Sequence, residues 1–474
     1  DLHKKGRTMC EIFGASGWAC GVKLMKWLVD HALVRGVNWF VPHAFSPKEF
    51  PDPDCPPHFY ARGKNPQYRY FGYLMNYANR LCHLLNGGKH VAPVAILYHA
   101  EAEWSGNYMY FQKPAHWLAR NQIDYDIIPA DVFENMEVFN ARLESKRFIV
   151  NGEEYLCLVV PYSQRITTAT AEFIGKAVQK GFEVIFVNGL PESICDEPDT
   201  AKTEQLLKGV RNCRVAKLEE LSDILRQKGI YEIELTAQEP YLRYYHYNRG
   251  ETDIYMFFNE HPSKGMDTIV KIPKTGKVSL YNAFDNTLTP LDVETDKNAT
   301  KIRLRLSKYE SAVVVFGDVD DSIRTENATK QAGVTHDDHF KEYEIKGEWK
   351  LSTASSLEYP RFSYKFIVDK LENMSAPGYL PDFAGTFRYE TEFNLEDVDG
   401  RVVLDMGDVF EVAEVWVNGH HAGVRISPPY AIDISGLLKK GVNTLCIDVT
   451  NTLVREVKDW ASLNVALDPS GLIG

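Results

Sequence analysis

The period of the hydrophobic positions changes along the chain. From residue 7 to about residue 90, short apolar runs alternate with stretches of helical spacing. RTMCEIFG (7–14) reads as a strand, and in GVKLMKWLVDHALVR (21–35) Val22, Met25, Trp27, Leu28, Ala32 and Leu33 recur at near-helical spacing until Gly36 stops the helix. VNWFVPHAF (37–45) is a second buried strand. Strand, helix and strand at this spacing predict a βαβ unit with a right-handed crossover. A proline-rich loop, PKEFPDPDCPP (47–57), leads to a second long helix, YRYFGYLMNYANRLCHLLN (68–86), closed by Gly87 and Gly88.

Residues 91–229 alternate again. VAPVAILYH, LCLVVPY and FEVIFV are continuous apolar strands, and KPAHWLARNQ, TTATAEFIGKAVQKG and KLEELSDILRQKG are helical. This predicts a parallel sheet covered on both faces, a flavodoxin-like doubly wound domain. From 230 to 320 the helices disappear: YLRYYHYNRGETDIYMFFNEH, DTIVKI, KVSLYNAF and SAVVVFG predict an antiparallel β-sandwich. Residues 321–474 continue all-β with FRYETEFNL, RVVLDMG, VAEVWVNGHHAGV and NTLCIDVTN, a second sandwich or jelly roll. In WVNGHH the Asn-Gly pair between strands is a hairpin signal. An acidic connector, GDVDDSIRTENATKQ (317–331), joins the two all-β regions. The expected class is thus multidomain α/β plus all-β.

Composition narrows the functions. The chain has 474 residues, enough for about three domains. With 53 Lys+Arg against 65 Asp+Glu it lacks a basic surplus to meet a phosphate backbone, so nucleic acid is not an expected partner. No run of 18 apolar residues predicts a membrane span. The 8 cysteines form no CxxC pair, which argues against metal ribbons, and Cys157 and Cys446 sit in apolar runs that suit reduced thiols. A cytoplasmic location follows, or a periplasmic or secreted one if a signal peptide lies upstream. The N-terminus has neither an initiator Met nor an apolar signal core and reads as the interior of a longer precursor. The 25 Tyr, 24 Phe and 8 Trp suit β-structure first and carbohydrate binding second.

Functional residues in parallel α/β units emerge at the carboxyl ends of strands. Glu11 stands there, directly before FGASGW, as a candidate base or nucleophile beside Trp18; a strand-end Glu capping its loop is the plain alternative. His43 ends the next strand near Trp39, or is a core histidine held by backbone. Glu101, Glu103 and Trp104, in HAEAEWSG after another strand, read as a solvated loop that lines the rim of a site. Asp52 and Asp54 in the proline loop read as exposed. Cys157 lies mid-strand without a nucleophile elbow and is rejected as a nucleophile.

The order of parts resembles clan A glycoside hydrolases, and is especially similar to the family 2-like and family 106 (α-L-rhamnosidase) groups. EIFGASGWACGVKLMKWLVDHALVRGVNWFVPHAF resembles the last two strands of their β/α barrel. The resemblance implies that Glu11 holds the place of the catalytic Glu of the seventh strand, and that Trp39 and His43 face the sugar from the eighth. Residues 1–90 would then be the C-terminal part of a barrel. The 91–229 region resembles the amidotransferase-like domain of family 42 β-galactosidases. FAGTFRYETEFNL, LDMGDVFEVAEVWVNGHHAGV and PPYAIDISGLLKKGVNTLCIDVTNTLV resemble the family 2 sugar-binding jelly roll, galactose-binding-like in fold. What the resemblance implies is hydrolysis of terminal sugars from oligosaccharides or plant glycosides. Trp18, Trp39, His43, Glu103 and Trp104 would contact the carbohydrate. No cofactor is expected; calcium occurs in such groups, but no acidic calcium loop is present.

The chain also departs from the pattern. A barrel needs eight strands and about two are here, and the clan's general acid belongs to the fourth. Glycoside hydrolysis uses two carboxylates, one protonating the leaving group and one attacking or activating water. Glu11 supplies one, so the chain by itself is expected to be an incomplete, inactive part of the enzyme. Its partner would be the missing barrel segment or a second copy; otherwise residues 1–90 pack against the α/β domain. The non-enzymatic readings are a carbohydrate-binding region, with Trp416 as a candidate, or a scaffold.

Overall fold

The computed structural model describes residues 6–317, 342–398, 400–458 and 467–473. Most of the acidic connector lies outside the described residues. The architecture is mixed α/β followed by antiparallel sheets.

The first elements are β1 (Met9–Ile12), α1 (Val22–Leu33), β2 (Trp39–Pro42) and α2 (Tyr68–Leu84). β1 and β2 pair in parallel, with Met9 beside Trp39 and Glu11 beside Val41. Strand alternation then sorts the side chains. Cys10, Ile12 and Phe40 pack towards the helices, while Met9, Glu11, Trp39 and Val41 all lie exposed on the opposite face. Val22, Met25, Val29 and Leu33 of α1 and Tyr70, Leu74, Tyr77 and Leu81 of α2 form the helices' inner stripes.

β3 (Lys89–His90) leads into β4 (Val94–Tyr98), α3 (Ala100–Ser105), α4 (Gln112–Arg120) and β5 (Tyr125–Pro129). A five-stranded, all-parallel sheet runs in the order 214–216, 183–187, 157–160, β4, β5. Helices cover both faces: Ala115 and Leu118 of α4 with Leu221 and Leu225 on one, Phe173, Ile174 and Leu207 on the other. Burial on both faces is why these strands are continuously apolar. HAEAEWSG, expected as a loop, forms the short helix α3.

The next region pairs a six-stranded sheet with a four-stranded one around Tyr244, Tyr255, Phe257, Val270, Ile302 and Leu304. The alternate residues of the six-stranded sheet, among them Tyr245, Tyr247, Ile254, Met256, Phe258 and Val315, meet α1 and α2. The helices therefore lean on this antiparallel sheet, whereas the sequence offered the α/β domain as their support. Buried polar contacts fix the junction: Lys26 Nζ lies 2.7 Å from Asp30, which also accepts the Tyr77 hydroxyl at 2.7 Å, and Lys26 donates to Tyr309 O at 2.7 Å.

The last sheet has six antiparallel strands in the order 363–368, 349–354, 386–395, 441–450, 412–417, 420–425. Val417 and His420 close a hairpin, with Asn418 at φ +52° and Gly419 at φ +79°, the pair of positive dihedrals that a tight Asn-Gly turn requires. α2 is tied to this sheet as well: Arg69 donates to the hydroxyls of Thr386 and Thr450, each at 2.9 Å. No helix among the described residues is long and apolar enough to cross a membrane.

Candidate active site

Glu11 is exposed one residue before the end of β1. The loop that follows is strained: Phe13 (φ +81°) and Ala15 (φ +58°) both adopt left-handed backbone, uncommon for residues with a Cβ. It is held from two sides. His43 N–H donates to Ile12 O at 2.9 Å, and Gly17 N–H donates to Pro56 O at 2.9 Å. A Cβ on Gly14 would lie 3.1 Å from His43 Cγ, so the imidazole rests closely against this glycine. Nδ1 of His43 is buried without a partner among the described residues. Trp39 lies half-exposed, two positions from Val41, the neighbour of Glu11, with the Arg7 guanidinium 5.5 Å from its ring centre. Glu11 and His43 thus stand at the carboxyl end of the paired strands, while Trp39 opens β2 beside Met9, on the same exposed face as Glu11. At that end an exposed carboxylate can attack or deprotonate and an imidazole can hydrogen-bond, with an aromatic ring further along the same face.

Other predicted residues are placed differently. Trp18 is 3% exposed, its ring edge-on to Phe50 (5.7 Å) and His58 (5.4 Å); it is a packing residue in this structure and offers no face to a sugar. Glu103 and Trp104 stand on α3, which packs on the strand Arg165–Ile166. Trp104 is 82% exposed. Asp52 corrects the expectation of an exposed loop residue: it is buried, accepts the Ser46 hydroxyl at 2.6 Å and caps Asp54 N–H at 3.1 Å. The Ser46 hydrogen bond holds its carboxyl below the ordinary value. Asp54 is exposed as expected. Asp54 raises the neighbouring Cys55 thiol, and the proline loop meets the loop after Glu11 where Ala15 N–H donates to Cys55 O at 3.4 Å.

Three rings that flank the proline loop are not singled out by the sequence: Phe45 before it, Tyr60 after it and Tyr68 at the start of α2. Their signal was aromatic residues between a strand end and a helix start. Cys157 is fully buried, and burial pushes its thiol well above the ordinary value. All eight cysteines are unbridged. Among the described residues no three His, Cys, Asp or Glu side chains gather as metal ligands would.

The family model of alpha-L-rhamnosidase, glycoside hydrolase family 106, matches residues 5–286. Among solved structures, the rhamnosidase from Novosphingobium sp. PP1Y aligns with 100% of this chain and 47% of its own, at a TM-score of 0.73 and 20% identity. The chain spans about half the length of that relative. The alpha-L-fucosidase isoenzyme 2 of Paenibacillus thiaminolyticus aligns with 63% of this chain and 58% of its own (TM-score 0.42, 10% identity). A GH42 beta-galactosidase from G. stearothermophilus aligns with 61% and 50% (TM-score 0.43, 11% identity). No curated protein matches. With more than half of its residues matched by that family model, the chain belongs to the alpha-L-rhamnosidase family, glycoside hydrolase family 106.

Proposed function

We propose that this chain is the C-terminal portion of a glycoside hydrolase that removes a terminal sugar, α-L-rhamnose by its family, from an oligosaccharide or plant glycoside. Residues 1–90 are then the end of a β/α barrel, 91–229 an amidotransferase-like domain, 230–320 a β-sandwich and 321–474 a galactose-binding-like jelly roll. The observation that supports this is the bare face of β1 and β2. Met9, Glu11, Trp39 and Val41 point away from the helices into solvent, and the four-residue strands pair only with each other among the described residues. Unpaired strand edges beside exposed apolar side chains call for further strands. In a closed barrel this face is the interior, and its carboxyl end carries the chemistry.

Glu11 acts as nucleophile or general base, His43 hydrogen-bonds a sugar hydroxyl, and Trp39 stacks on the sugar. The general acid comes from the remainder of the enzyme. Full-length protein should hydrolyse an aryl α-L-rhamnoside while residues 1–474 alone do not; turnover by the isolated chain would overturn the division of the site. A binding-only reading draws on Trp416, which sits half-buried outside the core with Arg388 5.6 Å above its ring. Arg388 is itself held by Asp448 at 2.7 Å and stacked on Phe362 at 3.9 Å. That stack is already satisfied within the chain, so the enzyme reading is preferred.

A further inference from the structure

Loops that follow parallel strands gather at one end of the sheet. The segment from His43 to Gln67 leaves β2 at the end where Glu11 stands and returns to start α2. Most of its apolar residues turn inward, but Phe45 (59% exposed) and Tyr60 (49%) do not, and Tyr68 (41%), the first residue of α2, stands beside them. They touch one another edge to face. The centroids of Phe45 and Tyr68 are 6.1 Å apart at 88°, and those of Tyr60 and Tyr68 are 5.1 Å apart at 67°. Behind them Phe59 and Phe71 stack at 4.4 Å, with Phe45 5.4 Å from Phe59. The backing is fixed: Phe59 N–H donates to Ala44 O at 3.1 Å, Asn65 donates to His58 O at 3.2 Å and Gln67 N–H to Asn65 Oδ1 at 3.0 Å.

Scattered exposed rings need no explanation, whereas three touching rings on a rigid backing form a surface. This one is continuous with the candidate site, because Phe45 is two residues from His43. The segment that carries Phe45 and Tyr60 starts at the strand ends, where Glu11 and His43 mark the place of the terminal sugar. An enzyme removing a terminal sugar holds that sugar innermost and leaves the departing group facing out. We propose that Phe45, Tyr60 and Tyr68 form the leaving-group subsite. It takes a flat ring with an apolar face, a phenol or a pyranose, attached to the sugar being released. This rests on the assignment of Glu11 to the reacting centre, but its test reads binding and not turnover.

Saturation-transfer NMR on the full chain tests it with phenyl α-L-rhamnoside, methyl α-L-rhamnoside and a rhamnosyl-glucose disaccharide as probes. Saturation should fall on the phenyl protons, or on the C–H face of the glucose, and be weakest for the methyl glycoside. Transfer to phenyl alone identifies an aromatic leaving group, and transfer to glucose identifies a sugar. Combining Phe45→Leu with Tyr68→Leu should weaken binding by about fivefold or more. Saturation confined to the rhamnose ring, equal transfer in the variant, or no binding of any probe overturns the proposal. If the double variant loses its circular dichroism, Phe45→Leu alone decides, since that ring is mostly exposed. Persistent binding with a hydrolysis-competent Glu11→Gln would sink the assignment of Glu11 and leave the subsite standing.

Discussion

Replacing His90 by Gln should loosen the seam between the parallel sheet and the antiparallel one. His90 belongs to β3, at the edge of the six-stranded sheet, yet its ring nitrogens face carboxylates beside and within β5: Nε2 is 2.9 Å from Asp124 and Nδ1 is 3.0 Å from Asp126. The ring also stacks on Tyr245 at 4.3 Å. Burial alone would lower its pKa; the charges of Asp126 and Asp124 outweigh burial and hold it well above the ordinary histidine value. The ring is therefore an imidazolium that donates to both carboxylates. Glutamine removes that charge from two partly buried carboxylates, Asp124 with 13% and Asp126 with 30% of its side chain exposed, which costs about 2–3 kcal/mol. The sign with pH follows from the raised folded pKa. The stabilisation is fully present below the unfolded histidine pKa of about 6.5 and is lost only as pH rises through the higher folded value. In a chain of several cooperative units the loss is local, so hydrogen exchange of the β3 and β5 amides is the assay, at pH 6, 8 and 10. Exchange should accelerate in the variant at pH 6 and 8, with the gap closing at higher pH. A variant within about 0.5 kcal/mol of the parent at pH 6 would refute the reasoning.

Two further predictions concern buried groups. Trp18→Ala should destabilise the chain locally by about 3–5 kcal/mol, seen as a lowered thermal midpoint; unchanged stability with weakened sugar binding would restore Trp18 as a platform. Burial pushes the Glu310 carboxyl up to about 7, and a folded pKa above the unfolded one makes stability fall as pH rises from the ordinary carboxylate range to that value. Glu310→Gln should remove this slope, gaining about 3 kcal/mol on the parent between pH 4.5 and 8 in urea denaturation; parallel curves for the two proteins would contradict it.

The elements visible in the sequence are those whose partners are local or whose burial is uniform. α1, α2, the strands at 94–98, 157–160 and 183–187 and the Asn418–Gly419 turn all follow from period or turn chemistry. The strand Tyr125–Pro129 escaped notice because it is an edge strand carrying Asp126, and the helix Thr200–Val210 because its apolar stripe is thin. The candidate site divides in the same way. The positions of Glu11 and His43, at the carboxyl ends of strands, were legible in the sequence. The burial of Trp18 depends on Phe50 and His58, more than thirty residues on, and that of Asp52 on how the proline loop folds back over Ser46. No local period encodes such contacts.

Glu11 is proposed to belong to the reacting centre of a rhamnosidase completed by residues outside this chain. Turnover of an aryl α-L-rhamnoside by full-length protein carrying Glu11→Gln tests it most directly. The expected result is a loss of about a hundredfold or more in kcat with the fold intact. Turnover equal to that of the parent would contradict it.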